Sequence, residues 1–125
     1  MIERYDPDHA PDAEEWLALE ESERAALVEE YHREHRLKLP NARMHASIHA
    51  VVENQLAMED QAIVRETLQR LMGEGLTRHD AVHAIGSALA EHIYNLLQSN
   101  DPPKDANEGY YAALGQLTAK NWRDG

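Results

Sequence analysis

The stretch TRHDAVHAIGSALAEHIYNLL, residues 77–97, constrains the fold more than any other part of the chain. Thr77 is a favoured N-cap residue, and Asp80 three positions later makes a capping-box-like pair with it. Val82, Ile85, Leu89, Ile93 and Leu96 recur at three- and four-residue steps, so they line one face of a helix. That stripe needs other elements to cover it. No segment alternates polar and apolar residues for long enough to make a strand, so the covering elements are helices. The class is all-α.

The remaining helices are read from their caps and stops, giving one compact domain over 1–125 with five or six helices. Residues 1–11, with two prolines and several acids, read as an extended arm. Asp12 caps a short helix, AEEWLAL. Ser22 caps a second, running to about Arg36, with Leu27, Val28 and Tyr31 on its buried face. The series Trp16, Leu19, Glu23, Leu27, Tyr31 equally suits one unbroken helix. Lys38-Leu39-Pro40 is a stop, and Asn41 opens a third helix to about Met58 with Met44, Ile48, Val51, Val52 and Leu56 inward. Asp60 caps a fourth, to about Glu74, burying Val64, Leu68, Leu71 and Met72. Gly75 stands where a left-handed residue would end that helix, so the fourth and fifth form a tight hairpin. With 12–97 as the helical core, a Pro-containing loop over 98–106 leads to a last helix at 107–121. That helix carries Tyr110 or Tyr111, Leu114 and Leu117, with Trp122 beyond its end.

Charge narrows the partners. Twelve Lys and Arg against 23 Asp and Glu leave a formal charge of −11, which repels nucleic acid and an anionic membrane surface alike. There is no cysteine, hence no disulfide or thiolate chemistry, which fits a cytoplasmic protein. The amino-terminal sequence lacks the apolar core of a secretory signal, and no run is long enough to span a membrane. Twelve of the 23 acids fall in the first 40 residues, an acidic face suited to a basic protein partner. The third to fifth helices have broad aliphatic faces that the C-terminal segment can cover either within the chain or, reaching across in trans, on a second copy; the trans arrangement gives a homodimer.

Eight histidines include two pairs at i,i+4 spacing, His45 with His49 and His79 with His83. One helical turn separates each pair, so two imidazoles can meet one ligand. On a helical wheel His45 falls inside the apolar arc of its helix, His49 at its edge and Glu53 just beyond. If the third and fifth helices run parallel, the pairs lie at similar depth and converge on a divalent metal of zinc or iron type. Glu53, Asp80 and Glu91 are the candidate carboxylates. His32 and His35, in a run of charges, read as solvated. His79-Asp80-Ala81-Val82-His83 has the spacing of an HExxH zincin motif with aspartate in the base position. Aspartate is a methylene short, Asp80 is engaged at the cap, and no strand exists to align a peptide, so a peptidase does not follow. The Glu-x-x-His pattern of ferritin-like di-iron sites is not met, and no reaction is assigned. The rival class is a non-catalytic interaction or regulatory module acting through the acidic N-terminal helices.

The block NARMHASIHAVVENQLA…RLMGEGLTRHDAVHAIGSALAEHIYNLL resembles a family of small, uncharacterised bacterial helical proteins known as a domain of unknown function. The similarity spans roughly residues 12–97 and is most specific in the two HxxxH segments. The resemblance implies a bacterial cytoplasmic protein and supplies no activity.

Overall fold

A computed structural model describes residues 2–34, 42–98 and 108–124. Among these residues there are helices and no strand, as the all-α reading expects: α1 Ala13–Ala18, α2 Glu21–Glu34, α3 Ala42–Ala57, α4 Ala62–Gly73, α5 Arg78–Gln98, α6 Glu108–Gln116 and α7 Ala119–Asp124. Contacts divide the chain into two compact units, Met1–Gln61 and Ala62–Gly125. The Lys38-Leu39-Pro40 stop, the Asn41 cap, His35 and residues 99–106 of the Pro-containing loop lie outside the described residues.

In the first unit, α1 and α2 both pack on α3. The Asp12 carboxylate accepts the Glu15 backbone N–H at 3.0 Å and starts α1. The break before α2 settles the choice between one helix and two. Arg24 reaches back and donates from Nη2 to the carbonyls of Leu17, at 2.8 Å, and Leu19, at 2.7 Å. Those are end-of-helix carbonyls that would otherwise lack an intrahelical donor. The second helix begins at Glu21, so Ser22 lies inside it instead of capping it. Glu20 precedes the helix, and its own N–H meets the Glu23 carboxylate at 3.3 Å.

The face that α3 buries differs from the apolar arc read from its sequence. Ala46, His49, Ala50, Val52, Glu53 and Asn54 are buried, whereas Met44 is 61% exposed and Val51 is also exposed. Two alanines allow neighbours to approach closely, and the buried polar groups have partners inside the unit. A helix facing such partners does not turn its most apolar side inward. The arm before α1 has no regular structure, yet Tyr5 and Pro7 are buried, so it is packed into the core. Tyr5, Trp16, Val28, Ala46 and Ala50 form that core, flanked by Leu19, Leu27 and Tyr31.

The second unit has a hydrocarbon core. From α4 it takes Val64 and Leu71, from α5 Ala81, Val82, Ala84, Ile85 and Leu89, and from α6 Leu114. The α4 start lies at Ala62, with Asp60 in the preceding turn. Thr67 is buried where Met72 was expected, because its hydroxyl is satisfied by the Ile63 carbonyl at 2.8 Å. Gly75 takes φ 107°, a conformation that disfavours any side chain. Leu76 N–H then reaches Leu71 O at 3.2 Å and Gly75 N–H reaches Met72 O at 3.0 Å, a Schellman end. Thr77 caps α5 through its hydroxyl, which accepts from Asp80 N–H at 3.1 Å.

The expected stripe on α5 is buried only in its first half, and Ile93 is 39% exposed. Length explains this, since α4 has 12 residues and α5 has 21, so the hairpin partner stops short. The C-terminal stretch read as one helix is two. Leu117 and Thr118 interrupt it, and the Thr118 hydroxyl caps α7 by accepting from Asn121 N–H at 3.0 Å. Arg70 donates to Leu114 O at 2.9 Å, and the Glu74 carboxylate accepts Ala119 N–H at 2.8 Å, tying α4 to both C-terminal helices. No described helix is long and apolar enough to cross a membrane.

Candidate metal centre

Three histidines meet inside the first unit. α2 delivers His32, and α3 delivers His45 and His49 one turn apart. His32 is 3% exposed and His49 2%, while His45 is half-buried. One ring nitrogen from each lies within 4.8 Å of the others. The rings stand edge to face, with centroids 4.9 Å apart for His32–His45, 5.5 Å for His32–His49 and 6.2 Å for His45–His49.

The surroundings of His32 correct its reading as solvated. The neighbouring charges, Arg33 with Glu30 at 2.6 Å, pair on the exposed side of α2. His32 points the other way, one turn beyond buried Val28, and its Nδ1 meets the Val28 carbonyl at 2.8 Å. The i,i+4 step from Val28 was the available signal, and the charged neighbours masked it.

His49 is held from two further segments. Its Nε2 lies 2.6 Å from the Tyr5 hydroxyl, and that hydroxyl also donates to the Glu53 carboxylate. Glu53 is 1% exposed, so of the candidate carboxylates it is the one drawn into this cluster. Beside it Trp16 Nε1 donates to Asn54 Oδ1 at 2.8 Å. Tyr5 had no signal beyond being an aromatic in an otherwise polar arm.

Tyr31 stacks edge-on against His32 with centroids 5.6 Å apart. Burial, followed by the charges of Asp6 and Asp8, raises its phenol above the usual range. Outside the rings, a cleft of about 440 Å³ opens between Tyr5, Tyr31 and Leu27 under a rim that includes Glu3, Asp6 and Glu30.

In the second unit His79 and His83 form the other spaced pair, half-buried at the start of α5, with Nε2 atoms 3.1 Å apart. One of the two nitrogens therefore donates and the other accepts. Asp80 and Glu91 are exposed. His92 is engaged elsewhere, stacked on the buried Tyr110 ring with centroids 5.9 Å apart.

Neutral imidazoles on rigid helices are donors for borderline divalent ions. Metal-ligating histidines usually donate their second ring N–H to a carbonyl or carboxylate, the kind of bond His32 makes to Val28. No curated protein and no solved structure matches the chain. A family model matches residues 8–115, most of the chain. The chain belongs to the family described as Domain of unknown function (DUF1841).

Proposed function

We propose that this protein binds a divalent metal ion through His32, His45 and His49. The observation that supports the reading is the meeting of three imidazoles, from two helices, with ring nitrogens within 4.8 Å of one another. Nitrogens around a tetrahedral ion at about 2.0–2.1 Å stand roughly 3.3 Å apart, so small ring rotations close the set. Three histidines with one open position form the donor set of catalytic zinc sites, and imidazole also suits iron. An ion so held would polarise a bound water, and Glu53, two bonds removed through Tyr5, would supply outer-layer charge. His79 and His83 are the second proposed donor pair, since 3.1 Å between their Nε2 atoms is near the spacing a single ion requires.

Elemental analysis of untagged protein, purified without chelator after metal-replete growth, tests this. Stoichiometric zinc or iron is expected, lost in His49→Ala and in His32→Ala. The same assay on His79→Ala and His83→Ala reads how much of the metal that pair holds. A second reading follows from the many exposed acids before α3, among them Asp12, Glu14, Glu15, Glu21 and Glu23: an interaction module for a basic protein partner. Metal-free protein of full stability under those growth conditions would favour it.

A further inference from the structure

Tyr5 lies outside the described helices, yet its hydroxyl is held between two buried groups of α3. It sits between Nε2 of His49, at 2.6 Å, and the carboxylate of Glu53. A phenol has one proton to give, and a carboxylate can only accept. A bond to the charged oxygen is about twice as strong as one to a neutral acceptor, and buried Glu53 has little water to fall back on. The proton therefore lies towards Glu53, and the phenol oxygen accepts from His49 Nε2–H. Neutral His49 is thereby the Nε2–H tautomer, with its lone pair on Nδ1.

His32 reaches a fixed tautomer by a different route. A carbonyl oxygen only accepts, so its Nδ1–H donates to Val28 at 2.8 Å and the lone pair lies on Nε2. One ring is set by its own helix. The other is set by a residue 44 positions away in sequence.

We propose that Tyr5, backed by Glu53, is the positioning residue that makes His49 a metal ligand, so the segment before α1 is part of the site. The role in ligation rests on the metal reading above. The tautomer does not, because it exists in the metal-free protein. With the donor nitrogen of each buried ring fixed, the other nitrogen is left as the ligand atom, and such imidazole donors select zinc, cobalt(II) or iron(II) over calcium or magnesium.

The test has two arms on the full chain. In metal-free protein, ¹⁵N spectra of the histidine rings should show His49 protonated on Nε2. Tyr5→Phe, which keeps the ring and its packing, should release that preference. Glu53→Gln leaves an amide oxygen able to accept from Tyr5 and should retain it. In the second arm, Co²⁺ titration followed by visible absorbance should show binding weakened about 10–100-fold in Tyr5→Phe, with less loss in Glu53→Gln. Wild-type His49 protonated on Nδ1 would overturn the proposal and needs no variant to fold. So would Tyr5→Phe binding Co²⁺ as tightly as wild type. If wild type shows the expected tautomer and binds no Co²⁺, the metal reading fails, and the ligand role of Tyr5 fails with it.

Discussion

The two units use opposite materials for the same task. In Ala62–Gly125 the interior is mostly hydrocarbon: buried Thr67 satisfies its hydroxyl on its own helix, buried Arg78 stands at the start of α5, and the remaining polar chemistry sits at helix ends, in the Gly75 turn, the Thr77 and Thr118 caps and the Glu74 bond to Ala119. In Met1–Gln61 polar chemistry occupies the interior itself, where His32, His49, Glu53 and Asn54 are buried among Tyr5, Trp16 and Val28. A buried polar group stabilises little by itself and costs about 1–3 kcal/mol if its partner is removed. The second unit is thus held by packing and the first by complementarity. A core built of mutually satisfied donors and acceptors is also what a binding site requires.

The contrast can be broken most forcefully in the hydrocarbon unit. Leu71→Ala removes a fully buried side chain and should cost about 2–5 kcal/mol in urea unfolding. A loss below 1 kcal/mol would mean that the second unit is not packing-limited. A smaller effect is expected in the first unit from Asn54→Ala, which strands the buried Trp16 N–H. About 1–3 kcal/mol should be lost, although little apolar contact is removed. Trp16→Phe on top of Asn54→Ala should recover part of that loss, because no donor then remains to be satisfied; a purely additive double variant would count against the complementarity argument.

The smallest effect sharpens the comparison through pH. The Ala119 N–H, followed by Arg70, holds the Glu74 carboxyl below its ordinary 4.5. A depressed folded value contributes stability above the unfolded pKa, and that contribution disappears as pH falls through the folded one. Thermal midpoints of wild type and Glu74→Gln should therefore differ at pH 7 and converge as the pH falls below the ordinary carboxyl range. A constant gap across that range would remove Glu74 from the account.

What could be read in the sequence follows the same division. The α4–α5 hairpin was legible because caps and turns are local: Gly75 and Thr77 act within five residues of their partners Leu71, Met72 and Asp80. The stripe through Val82, Ile85 and Leu89 was legible because its core is apolar. The same rule misplaced Met44 and Val51, since it assumes that α3 faces hydrocarbon when it faces Tyr5, Trp16 and α2. His45 and His49 could be singled out by spacing. His32 was hidden by charged neighbours that point away from it, and Tyr5 by sequence distance, which no local pattern encodes.

That distance also governs the order of events in folding. The Tyr5 bonds to His49 and Glu53 close spans of 44 and 48 residues, and the Arg70 and Glu74 bonds in the other unit close spans of 44 and 45. Helices can form within a microsecond, but such loops close only after chain entropy has been lost without immediate return. On a ribosome, residue 5 emerges before residue 53 has been made. Until then Tyr5 can pack against Trp16 and Tyr31 but lacks the α3 groups that hold its hydroxyl, and His32 lacks the α3 rings it stands against. The imidazole cluster is therefore a late product of folding, complete only when α3 is in place.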